Sequence, residues 1–265
     1  MEASGVQRVE QFLNRQFYDL LHSRKRYRVH CGGSRSGKSW ACCQFIAYLL
    51  QTSEKPILID IVRKTLPSLR GSIMRDMIQI LHETNIYWEG DHNKAENTFT
   101  YKGSTLSFIS LDMAQKIRGR KRDIALLEEA NELTLEDFRQ IDLRTEEFII
   151  FTYNPSDVTS WLYDLPEGKT DEWVTTYRDN KFLSDNIVQS IEALKDKDPD
   201  FYRVFGEGQR AVFSQRQIFG NWEFMDYKDF PEADDVYLGI DFGYSNDPAA
   251  ICEVRRVNDT LYVHE

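Results

Sequence analysis

A chain of 265 residues, 41% hydrophobic and 29% charged, has ordinary globular composition and room for one large domain or two smaller ones. Its net charge of −10 excludes a protein coated with positive charge for nucleic acid, while leaving room for local basic surfaces. No apolar run approaches the roughly 18 residues needed to cross a membrane, and the polar opening MEASGVQRVEQFLNRQF does not read as a secretory leader.

In residues 9–21, Val9, Phe12, Leu13, Phe17, Leu20 and Leu21 recur at helical spacing. A basic cluster follows, Arg24-Lys25-Arg26 with Arg28, and then a short strand over residues 27–31. The next octet, Gly32-Gly33-Ser34-Arg35-Ser36-Gly37-Lys38-Ser39, fits G-x-x-x-x-G-K-[ST], the phosphate-binding loop of nucleotide-using proteins. Its glycines let the backbone turn tightly, so that several N–H groups point at one phosphate. Lys38 reaches the β- and γ-phosphates, and the Ser39 hydroxyl ligates Mg²⁺. The apolar residues 40–50 predict a buried helix whose N-terminus faces the phosphates.

Residues 57–62 form an apolar run suited to a buried parallel strand, and residues 72–82 predict a helix. Residues 98–101 and 105–111, joined by Lys102-Gly103-Ser104, suggest a hairpin. A second basic cluster spans residues 116–122. A strand over 124–127 ends in Glu128-Glu129, a short helix follows over 134–141, and a buried strand over 148–153 closes at Asn154-Pro155. Strands alternating with helices imply a mostly parallel sheet flanked by helices. After about residue 210 the composition shifts. An acidic, proline-containing stretch over 226–235 precedes new strands at 236–243 and 261–264, so a second domain begins there. The expected division is a phosphate-loop domain over 1–210, a linker over 211–235 and the start of a further domain over 236–265.

Four cysteines, Cys31, Cys42, Cys43 and Cys252, lack C-x-x-C spacing and read as reduced core residues of a cytosolic protein. The five histidines show no ligand spacing.

A phosphate loop needs a partner strand ending in acids, and Glu128-Glu129 supplies it. In such a site the first acid orients Mg²⁺ and the second polarises the attacking water. Glu128 stands where Asp is usual, one methylene longer. The nearest approach to a guanine-reading N-K-x-D motif, Asn180-Lys181-Phe182-Leu183, lacks the Asp, which argues against a GTPase. Thr152 and Asn154, at the tip of the next strand, are placed to sense the γ-phosphate, or form a simple Asn-Pro turn. Either basic cluster is a solvated face or a nucleic-acid contact.

Taken in order, these motifs resemble the large terminase subunit of tailed bacteriophages, the motor that packages DNA into a procapsid. The resembling elements are Gln16 in an Arg-Gln-Phe helix, the loop with its internal Arg35, Arg63-Lys64-Thr65, Arg118-Gly119, Glu128-Glu129-Ala130, Tyr153-Asn154-Pro155 and Gly239-Ile240-Asp241-Phe242-Gly243. The resemblance implies an additional-strand P-loop NTPase followed by the start of an RNase H-like nuclease domain. It implies ATP and Mg²⁺ as cofactors, with Gln16 reading the adenine edge, Arg35 stabilising the transferring phosphate, and Glu129 and Lys38 in catalysis. Arg118 would reach a neighbouring subunit's ATP, with Arg120 as the alternative and a surface or DNA-contacting charge as the plain reading. Thr152 and Asn154 would couple hydrolysis to movement. Asp241 would be the first acid of a two-metal nuclease whose other ligands come from later strands; Asp247, Glu253 and Asp259 do not fit those positions, so this chain is expected to lack nuclease activity. The implied partners are double-stranded DNA, the procapsid portal and the small terminase subunit, in a homo-oligomeric ring that is monomeric in solution until assembled. The implied setting is the cytoplasm of an infected bacterial host. Other readings are a helicase or repair ATPase, a protein that binds nucleotide without turning it over, and an α/β domain that binds phosphate incidentally.

Overall fold

The computed structural model describes residues 12–113, 120–212, 223–242 and 250–264. It divides into two compact units, Met1–Phe213 and Ser214–Glu265.

In the first unit, strands β1 (Tyr27–Gly32), β2 (Leu58–Arg63), β5 (Ser104–Ser110), β6 (Arg122–Glu128), β7 (Thr145–Tyr153) and β8 (Thr170–Thr175) lie parallel in the order β5-β2-β6-β7-β1-β8. The short antiparallel strands β3 (His92–Asn93) and β4 (Thr98–Tyr101) extend the β5 edge. The central strands are largely apolar because helices cover both faces of a parallel sheet. The result is a P-loop NTPase fold of the additional-strand type, with β7 standing between the loop strand β1 and the acid strand β6.

One face is covered by α1 (Arg15–His22), α2 (Lys38–Thr52), α3 (Leu66–Gly71) and α4 (Ile73–Glu83), with Phe17, Leu20, Phe45, Ile46, Met77 and Ile80 in its core. Helix α2 is buried almost all round, as its apolar sequence requires, and packs between α1 and α4. The other face carries α5 (Leu135–Asp142), whose N-terminus is closed by a capping box between Thr134 and Asp137. Phe138 of that helix stacks on Trp161 at 4.8 Å over Val29, Leu127 and Phe151.

Helix α1 starts at Arg15, so Phe12 and Leu13 precede it rather than belonging to it; the expected start at Val9 lies outside the described residues. The hairpin turns on Lys102 and Gly103 alone, both at positive φ, and Ser104 already pairs with Tyr101 in β5.

Within the basic clusters, Arg28 and Arg122 differ from a surface reading, whereas Arg24 and Lys121 are exposed and residues 116–119 lie outside the described residues. Arg28 is buried, with its guanidinium 3.5 Å from the centre of the Phe148 ring and Nη1 donating to Leu20 O at 3.1 Å. Arg26 binds the Asp142 carboxylate. Arg122 is fully buried and paired with fully buried Asp60 of β2. A parallel sheet leaves no water beside such charges, so each must find its partner inside.

In the second unit, β9 (Val236–Asp241), β10 (Ala250–Val257) and β11 (Thr260–His264) form an antiparallel sheet in the order β11-β10-β9. Within the stretch expected as a linker, Tyr227 and Phe230 pack against His264 and Tyr262, and Arg255 donates to Pro231 O at 2.9 Å. All four cysteines are free; Cys31, Cys42 and Cys43 are core residues, but Cys252 on β10 is only half-buried, which corrects its assignment to the core.

Candidate functional site

The site lies at the C-terminal ends of β1, β7, β6 and β2, where the strands hand the chain to loops. After Gly32 the backbone enters left-handed conformations at Arg35 (φ 63°) and Gly37 (φ 90°) before α2 begins. Gly37 is favoured by its φ, and a Cβ there would lie 2.9 Å from the end of the Asn14 side chain, which would have to move. The base of the loop is fastened by two short bonds. Gly33 N–H donates to Thr175 O at 2.8 Å and Ser34 N–H to Phe205 O at 2.7 Å. The N–H groups of Arg35, Ser36 and Gly37 have no backbone acceptor among the described residues. Together with the N-terminus of α2 they form a concave set of donors suited to a phosphate.

Lys38, only 8% exposed, is folded into this loop. Its ammonium donates to Gly32 O (3.1 Å), Gly33 O (2.7 Å) and Asn154 Oδ1 (2.9 Å). Burial lowers its pKa, while Glu129 and Glu128 pull the other way. Asn154 also donates through Nδ2 to Ser34 Oγ at 3.2 Å, so the tip of β7 touches the loop twice.

On the acid strand, Glu128 accepts from Ser39 Oγ at 2.7 Å and, by its other oxygen, from Thr152 Oγ1. Burial raises its pKa, offset in part by these two hydroxyls and by Arg63 and Lys38. Glu129 is half-buried at φ 50°; burial and then the neighbouring Glu128 charge raise its pKa. Arg63, at the end of β2, sits near both acids and 3.8 Å from Glu132, anchored to Ser72 Oγ and Ser68 O. Ser39 and Glu128 thus form a hydroxyl–carboxylate pair of the kind that holds Mg²⁺ beside a phosphate.

Gln16 is fully buried and donates to Ser36 O at 2.8 Å, leaving its Oε1 unpaired. Arg35 is exposed at the loop's apex, and its carbonyl accepts from Asn180 Nδ2 at 2.9 Å. Arg118 lies outside the described residues. Arg120 lies 3.9 Å from Asp60 Oδ1, within its own subunit. Asp241 ends β9, exposed and paired with Ala250, and among the described residues no group of three or more His, Cys, Asp or Glu side chains could hold a metal.

A sequence model of the phage terminase large subunit matches residues 24–209. The chain belongs to that family. It is 23% identical to the PBSX phage terminase large subunit of Bacillus subtilis (strain 168), over 76% of this chain and 53% of that protein. The chain thus spans about half the length of this curated relative. Among solved structures, the large terminase of a thermophilic bacteriophage superimposes with a TM-score of 0.67 at 18% identity, over 96% of this chain and 69% of that one. The ATPase domain of the Thermus phage P74-26 large terminase does so with a TM-score of 0.57 at 14% identity, over 75% of this chain and 94% of that one. At these identities the two structures bear on the terminase fold.

Sequence reasoning assembled the loop, the acids and the β7 tip. It missed Thr175, Phe205 and Asn180, which fix the loop from outside. Thr175 and Phe205 act through backbone carbonyls, which have no sequence signature. Asn180 was visible only as part of a failed guanine motif.

Proposed function

We propose that this chain is the ATP-hydrolysing motor part of a large terminase, driving double-stranded DNA into a procapsid. On this reading residues 1–210 are the ATPase domain, 211–235 the linker and 236–265 the start of an RNase H-like nuclease domain, with Asp241 its first metal-binding acid. The observation that carries the reading is the convergence of Lys38, Ser39, Glu128 and Asn154 at the mouth of a loop whose Arg35, Ser36 and Gly37 N–H groups have no backbone acceptor among the described residues. The thermophilic bacteriophage's large terminase has been solved with ADP and with ATP-gamma-S, which supports a nucleotide as the ligand.

The loop residues 32–39 hold the phosphates, and Gln16 reads the adenine edge. Lys38 exchanges its protein oxygens for phosphate oxygens and neutralises their charge. Ser39 and Glu128 would hold Mg²⁺, which supplies a Lewis acid at the phosphate oxygens. Glu129 takes the proton of the attacking water; a raised pKa makes it the stronger base. Arg35 stabilises charge on the transferring phosphate, and Arg118 does so from the neighbouring subunit of a ring. When Lys38 leaves Asn154, the change passes along β7. Pro155 O, the next residue's carbonyl, accepts from Ala211 N–H at 2.9 Å, which supports a route from the site towards the linker. Portal, small subunit and DNA are the partners on this reading, in the host cytoplasm.

The test is steady-state ATP hydrolysis with Mg²⁺ and equilibrium nucleotide binding, for wild type, Lys38→Ala and Glu129→Gln. Lys38→Ala loses both. Glu129→Gln keeps binding and loses about 10²–10⁴-fold in turnover, the usual contribution of a positioned base. Unchanged turnover in Glu129→Gln would reject the assignment.

A further inference from the structure

Two phenylalanines stand exposed beside the loop. Phe12 is 74% and Phe182 61% accessible, and their rings meet edge to face with centroids 5.9 Å apart. Both are fixed to the nucleotide site. The carbonyl of Phe12 accepts from Gln44 Nε2 of α2 at 3.1 Å. Phe182 N–H donates to Asn180 Oδ1 at 3.1 Å, and Asn180 Nδ2 in turn donates to Arg35 O at the loop's apex.

On the same side of the loop sit two buried amides, Asn14 and Gln16, of which Gln16 keeps a polar atom without a partner. Asn14 is 8% exposed and occupies the N-cap of α1, yet makes no capping bond with its side chain, which lies over Gly37 instead. Gln16, 0% exposed, has the unpaired Oε1 already described. A buried amide atom without a partner is costly and rare in a settled core. A ligand that satisfies such atoms and also covers a phenyl face has a flat apolar ring and a polar edge. A phosphate has neither.

We propose that Phe12 and Phe182 form the stacking edge of the base site, with Asn14 a second amide at the base's polar rim beside Gln16. The proposal rests on the nucleotide reading above and adds what recognises the base, as distinct from the phosphates. Base stacking on an aromatic ring tolerates any base, so the phenylalanines supply affinity and the amides discrimination.

The test compares ATP with inorganic tripolyphosphate, which offers the same phosphate chain without a base, by calorimetry on the 265-residue chain. Phe182→Ala should weaken ATP binding by about five- to a hundredfold, the range measured for single stacking contacts. Tripolyphosphate binding should stay unchanged, and Phe182→Trp should keep ATP affinity. Because Phe182 is mostly exposed, neither variant removes core packing, and matching thermal unfolding curves check this. Equal losses for both ligands, or no loss for ATP, would overturn the proposal. A wild type that binds tripolyphosphate as tightly as ATP would overturn the base site alone. One that binds neither would overturn the nucleotide reading and the base site with it.

Discussion

Gly33→Ala puts a methyl group between the phosphate loop and the segment that anchors it. A Cβ at Gly33 would lie 2.5 Å from Gly206 O and 2.7 Å from Phe205 O, both backbone atoms that cannot swing aside. Relief requires the loop and residues 205–206 to part by several tenths of an ångström. That stretches the 2.7 Å bond from Ser34 N–H to Phe205 O and the 2.8 Å bond from Gly33 N–H to Thr175 O. Overpacking of this kind costs about 1–3 kcal/mol, and the two weakened buried bonds together about 1 kcal/mol. The sum is about 2–4 kcal/mol. At roughly 2–4 °C per kcal/mol for a unit of this size, the first unit should melt about 5–15 °C lower, read by circular dichroism. Gly168→Ala is the control: a Cβ there meets nothing within 4 Å, so its melting curve should overlay wild type. A Gly33→Ala protein that melts with wild type would refute the claim that the loop is held by close backbone contact.

Acid should act through His30 on β1. Its ring lies 5.1 Å from Trp173, and burial lowers its pKa to about 4, offset in part by the Gln16 backbone. The folded pKa lies below the ordinary 6.5, so the neutral histidine's contribution is complete above pH 6.5 and is lost as pH falls towards 4; the loss is about 3 kcal/mol. Urea unfolding of His30→Phe should show a flatter acid limb between pH 6.5 and 4, and an acid loss equal to wild type would count against the buried neutral ring. Asp60→Ala, which strands the fully buried Arg122, should cost about 3–5 kcal/mol by the same assay. Asp60→Leu combined with Arg122→Met should recover most of that, and a double variant no better than Asp60→Ala would mean that the site needs the charges themselves.

The central strands were legible because residues 124–127 are wholly apolar and residues 57–62 and 148–153 are interrupted only by Asp60 and Thr152, as suits a doubly covered parallel strand. The loop was legible because few structures other than a phosphate cradle require glycines and lysine at that spacing. β8 was not, because Thr-Asp-Glu-Trp-Val-Thr is an edge strand with one paired side, and its acids read as loop. β10 was hidden for a related reason, its run being interrupted by Glu253, Arg255 and Arg256. Arg28 and Arg122 were misjudged because a basic run reveals nothing about partners such as Phe148 or Asp60, distant in sequence. Asn14 and Phe182 carry no motif, and only the fold brings them to the loop.

The neutral side chains of β7 also keep the site's opposite charges apart. Lys38 is held by two carbonyls and the Asn154 amide, while Glu128 is held by the Ser39 and Thr152 hydroxyls. Among the described residues, Lys38 makes no ion pair with either glutamate. An arriving anion therefore displaces uncharged acceptors, whose bonds are individually modest, instead of breaking a desolvated salt bridge. A direct lysine–glutamate contact would stabilise the empty site against its own ligand. By interposing amide and hydroxyls, the strand between β1 and β6 acts as an insulator, and the ammonium meets incoming negative charge without first breaking an ion pair.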